Sequence, residues 1–115
     1  MAFTEIEQWR NQKCLNWFLS AHRPPEHIRP QLDYCYQIDG HTVDLQEVRP
    51  DWKDKNTIRT TSFARVRFVR SANEWRLYWK RANGKWQSYE PHPTHRSLAS
   101  ALGIVHDDAY CCFFG

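Results

Sequence analysis

Seven side chains in the middle of the chain are of types that bind anions and flat rings: Arg65, Arg67, Arg76, Tyr78, Lys80, Gln87 and Tyr89. Arginine and lysine neutralise phosphates, and tyrosine rings give bases a flat surface to stack on. Their alternation with apolar residues gives them one face of a sheet. The other reading of that face is a solvated surface, with long aliphatic stems lying over the tyrosines. A second set is His92, His95, His106, Asp107, Cys111 and Cys112. Zinc takes nitrogen and sulfur ligands of these types, but the spacing fits no standard finger, so no metal is expected. A nucleophilic thiol needs a base within reach. Cys35 and His41 fall on opposite faces of their hairpin, and no glycine-rich phosphate loop or paired-carboxylate motif occurs. No enzymatic activity and no cofactor are expected. Glu47 continues an apolar strand face and needs a partner if buried; Arg49 or Arg23 could supply it as a structural ion pair.

Charge is distributed unevenly. Residues 1–48 hold 4 basic and 7 acidic side chains, residues 49–96 hold 12 and 4, and residues 97–115 add only Asp107 and Asp108. The cationic excess therefore coincides with the stretch that reads as sheet, which suits a polyanionic or acidic partner. At 115 residues, 41% hydrophobic and 15% aromatic, the chain has the size and content of one folded domain spanning 1–115. No apolar run is long enough for a membrane span, and the start, Met1 to Glu7, lacks the basic and apolar stretches of a signal peptide. A cytoplasmic location with four reduced cysteines is the expectation.

The elements that must position these residues follow from pattern. Thr4 and Glu7 form a capping box for a helix over about 5–20, stopped before Pro24-Pro25. Ile6, Trp9 and Trp17 share one side of it, while Cys14, Leu15, Phe18 and Leu19 spread over another, so burial on more than one side is expected. The second cover is the chain's own tail or a second subunit. Asp39-Gly40 and Asn83-Gly84 each predict a two-residue hairpin turn. The first hairpin pairs Ile38 with His41, Tyr36 with Val43, Tyr34 with Leu45 and Cys35 with Asp44. A third strand over about 63–70 sets Phe68 against Leu77, Arg65 against Lys80 and Arg67 against Tyr78. In the last hairpin Trp79 opposes Ser88 and Arg81 opposes Trp86. Between the second and third strands lies a polar loop, with Trp52 expected to be anchored in the core. Thr94 is the expected cap of a second helix over about 94–106, in which Gly103 is costly unless it ends the helix. The apolar tail, Tyr110 to Phe114, should pack into the core or on the first helix. The prediction is an α+β domain: a helix, a five-stranded twisted antiparallel sheet over about 31–90 with two tight hairpins, and a C-terminal helix.

Several fragments carry a resemblance: Arg23-Pro24, the Leu32 to Leu45 hairpin, Arg49-Pro50-Asp51-Trp52, Ala64-Arg65-Val66-Arg67, Trp75-Arg76-Leu77-Tyr78-Trp79, Asn83-Gly84-Lys85-Trp86 and the end Phe113-Phe114-Gly115. Together they resemble a small bacterial family known as domain of unknown function 3024. The most specific parts are the Arg-Pro-x-Trp step and the Trp-x-Leu-Tyr-Trp strand. Phe114 stands where the family usually has Trp, and Cys111-Cys112 looks peculiar to this chain. The resemblance implies the architecture and no activity. The functional expectation is a non-enzymatic binding module contacting single-stranded nucleic acid through the cationic aromatic face. The alternative is a protein-interaction module or homodimer built on the first helix.

Overall fold

A computed structural model of the chain describes residues 3–114. Helix α1 runs Glu5–His22, and its capping box is formed: Glu7 N–H donates to Thr4 Oγ1, and Thr4 N–H donates to the Glu7 carboxylate. Among the described residues the sheet has six strands: β1 (Asp33–Asp39), β2 (Thr42–Pro50), β3 (Ile58–Val69), β4 (Glu74–Lys80), β5 (Trp86–Ser88) and β6 (Thr94–His95). All pairings are antiparallel, in the order β1-β2-β3-β4-β5, and β6 continues the β5 edge along β4. Helix α2 spans Leu98–Asp107. Val43, Leu45, Ala64, Val66 and Leu77 point from one sheet face into a core closed by Leu15 and Phe18 of α1 and Leu98, Ala101, Leu102 and Val105 of α2. The expected α+β class, helix first and helix last, is what forms. The tail closes the core as anticipated. Phe113 meets Tyr89 and Phe114 meets Phe18, while the Asp108 carboxylate accepts from both tail N–H groups.

Register differs from expectation in an instructive way. Asp39 pairs with Thr42, so Gly40 and His41 make the first turn. Only Gly40 has positive φ there, 58°, the pattern of a type II′ turn with Gly at its first central position. Tyr36 consequently faces Leu45, and Cys35 faces Gln46 in place of Asp44. In β3 and β4, Arg65 faces Tyr78 and Arg67 faces Arg76. Both offsets are two residues from the expected pairing, so every side chain keeps its face. The last hairpin is offset by one. Gly84 N–H donates to the Arg81 carbonyl, Arg81 N–H donates to the Lys85 carbonyl, and Gly84 takes φ 82°. That is a three-residue loop ending in a left-handed glycine, and it sets Lys80 opposite Trp86. A one-residue offset turns β5 over.

Other expectations are corrected. Trp52 is 83% exposed, with Lys53 Nζ 4.9 Å from its ring. Its loop is closed by Asp51 N–H donating to the Thr57 carbonyl and by Asp54 accepting from Asn56 and Thr57, so the loop holds without a Trp anchor. Strand β3 begins at Ile58, well before the expected start, and a bulge at Phe63 sends that ring to Tyr34 and Phe114. Thr94 lies in β6; Ser97 caps α2, accepting from Ser100 N–H. Gly103 sits inside α2, which ends at Asp108 in the left-handed conformation. Leu15 and Phe18 are buried, but Ile6, Trp9 and Trp17 remain 65%, 57% and 50% exposed. The tail and α2 thus cover part of α1, with Phe114 on Phe18 and His22 and with His106 against Trp17, while the side carrying Ile6, Trp9 and Trp17 stays largely uncovered among the described residues.

Candidate functional site

With both helices on one face of the sheet, the other face is open. Cross-strand pairing arranges it in rows. One row runs Gln37, Asp44, Arg65, Tyr78, Ser88, and the next Asp39, Thr42, Arg67, Arg76, Thr94. Lys80 and Trp86 complete the patch beside Tyr78. Of the six residues expected to bind a polyanion, the structure brings Arg65, Arg67, Arg76, Tyr78 and Lys80 together here. Tyr89 is the exception: it is 1% exposed, packed on Phe113 in the core, and burial pushes its phenol upward. The one-residue offset of β5 removes Tyr89 and Gln87 from this face and delivers Trp86 in their place.

Charge on the face is graded. Arg65 is clamped by Asp44 on the neighbouring strand, Nε at 2.7 Å and NH2 at 2.9 Å, which raises its already high pKa. Ser62 Oγ also donates to Asp44. The Arg65 guanidinium lies 4.4 Å from the Trp86 ring centroid, and Lys80 Nζ lies 5.6 Å from it. Arg76 meets Glu74 at 3.2 Å in an exposed pair, which is worth little. Arg67 is exposed and directly faces Arg76, and among the described residues no carboxylate pairs with it. Like charges facing across strands cost stability, and an anion between them would offset that cost. A depression of about 350 Å³ opens here, lined by Thr42, Arg65, Arg67, Tyr78 and Trp86. The acidic end, Asp39 and Asp44, borders a separate depression of about 230 Å³.

The remaining candidates are scattered or occupied. Glu47 pairs with Arg49, while Arg23 grips Asp33 through two bonds of 2.8 and 2.7 Å and holds that carboxyl below its usual range. Arg23 thus anchors the start of β1 and leaves Glu47 to Arg49. His95 uses both ring nitrogens, on Ser100 Oγ and the His92 carbonyl, and His106 bonds His22. Among the described residues no three His, Cys, Asp or Glu side chains come together as metal ligands. The thiols of Cys14, Cys35 and Cys112 are pushed up by burial, the opposite of what an activated nucleophile needs. Sequence reasoning missed two members of the site. Asp44 is expected opposite Cys35 and Trp86 opposite Arg81, whereas they face Arg65 and Lys80. The match of apolar Leu77 with Tyr89, whose N–H donates to the Leu77 carbonyl, was the available signal for the true register.

No helix among the described residues is long and apolar enough to cross a membrane. Searches of curated proteins and of solved structures return no match. A family model does match, that of a domain of unknown function, DUF3024, over residues 3–115, essentially the whole length. The resemblance carried by the hairpin fragments thus extends over the full fold, and the chain belongs to the DUF3024 family.

Proposed function

We propose that this protein is a cytoplasmic, non-enzymatic binding module that holds single-stranded nucleic acid on the open face of its sheet. The observation that carries the reading is the depression lined by Arg65, Arg67, Tyr78 and Trp86, where aromatic rings and guanidinium groups converge on an uncovered sheet. Single strands suit such a surface because unstacked bases can lie on the rings while cations follow the phosphates. Arg67, Arg76 and Lys80 supply positive charge for phosphates, and Arg65, held by Asp44, braces Trp86. The test is titration of a fluorescein-labelled single-stranded RNA with Trp86→Ala and Tyr89→Phe. Loss of a stacking ring weakens binding by about 1–3 kcal/mol, while removal of the buried Tyr89 hydroxyl leaves it unchanged. Equal binding by wild type and Trp86→Ala would reject the site.

A second reading has one observation in its favour. Ile6, Trp9 and Trp17 form an exposed apolar stripe on α1, which suits a second copy of the chain or another protein. Association through that stripe would be nearly indifferent to salt, whereas binding through the cationic face weakens steeply with it.

A further inference from the structure

On the opposite, helix-covered side a groove of about 400 Å³ opens between the first half of α1, the start of β4 and the first turn of α2. Its floor is aromatic: Phe3, Phe68 and Trp75 line it, with Phe3 stacked on Trp75 at 5.5 Å. Asn11 is part of the wall. It is 95% buried, and its Nδ2 has no hydrogen-bond partner among the described residues. A buried amide donor left unmade is costly, and replacing it with Leu would ordinarily be favourable. Arg10 and Arg96 stand on the rim, and neither meets a carboxylate among the described residues. The start of α2, Ser97 to Ala99, borders the same space, and a helix start leaves its leading N–H groups without intrahelical acceptors. The acidic residue on the wall, Glu7, is already bound to Arg70 and Thr4. The apolar floor therefore carries donors and positive charge around it, and its acid is engaged elsewhere.

We infer that this groove binds a small aromatic carboxylate. The ring lies on Phe3 and Trp75, and the carboxylate accepts from Asn11 and the start of α2 beside Arg96. A bicyclic acid fits the volume. The inference is independent of the sheet face, because no residue is shared between the two sites.

The experiment uses 2-naphthoate as probe, with naphthalene-2-methanol as its neutral counterpart, and follows backbone and Asn side-chain amide resonances of the full chain. Saturable shifts centred on Asn11, Leu98 and Ala99 for the acid, and none for the alcohol, are expected. Arg96→Gln should weaken the acid about tenfold. Asn11→Leu should abolish binding and raise the melting temperature. Shifts absent or located elsewhere, equal binding of the alcohol, or unchanged affinity in Arg96→Gln would overturn the inference. So would an Asn11→Leu variant that is less stable than wild type, because the amide would then be a structural group.

Discussion

Releasing Arg65 from Asp44 should strengthen polyanion binding. In the wild type, Asp44 neutralises Arg65 through two short bonds, so three cations on the open face remain for phosphates: Arg67, Arg76 and Lys80. For single strands each neutralised phosphate adds about 0.7 to the slope of log affinity against log salt, so three give a slope of about −2. Raising salt from about 50 to 200 mM then weakens binding roughly 20-fold. Asp44→Asn keeps the shape and frees Arg65. The slope should steepen to about −2.8, and the same salt step should cost roughly 50-fold. Affinity at low salt should rise even as stability falls. Both partners of the pair are partly buried, with side-chain exposures of 35% and 17%, so the loss should be about 1–2 kcal/mol. Fluorescence anisotropy at several salt concentrations, beside urea denaturation, measures both. If Asp44→Asn loses stability but keeps the wild-type slope and affinity, Arg65 does not face the ligand and the argument fails.

Gly103 lies within α2, and a methyl group added there meets nothing within 4 Å. Gly103→Ala should stabilise by about 0.5–1 kcal/mol, read as a rise of a few degrees in melting temperature. Arg70 and the Thr4 N–H hold the Glu7 carboxyl at about 2, against 4.5 for an ordinary glutamate. The folded state thus favours the ionised form, so the stabilisation is complete above pH 4.5 and disappears as pH falls towards 2. Arg70→Met should accordingly melt below wild type at pH 7 and converge with it in acid; a constant gap across that range would contradict the pairing. Phe114 stacks on Phe18 and His22 and meets Tyr34 edge-on and Phe63 at a tilt, so Phe114→Ala should cost about 2 kcal/mol in urea denaturation.

Much of this structure could be read from residue order, and the errors have a common cause. Alternation of side chains fixed which residues of β1 to β4 share a face, because an offset of two residues changes partners without changing faces. Arg67 and Tyr78 therefore reached the open face despite wrong pairings. Asn83-Gly84 announces a turn but fits both a two-residue and a three-residue loop, and the two differ by one residue of offset. That single residue exchanged Tyr89 for Trp86. Asn11 was legible in part, since it shares the helical spacing of Leu15 and Phe18 and so belonged to the buried side of α1. What no local pattern could supply was its lack of a partner, which depends on where β4 and α2 come to rest. Trp52 failed for a different reason: its residue type argues for burial, but β2 and β3 carry it beyond the core.

The most direct test of the sheet-face proposal is anisotropy of labelled single-stranded RNA and DNA with wild type and Arg67→Glu/Arg76→Glu at low and moderate salt. These two arginines face each other and are exposed, so their reversal should leave the fold intact. Saturable binding that falls steeply with salt and disappears in the double variant is the predicted result. Absence of binding at low salt, or binding unaffected by the reversal, would contradict it.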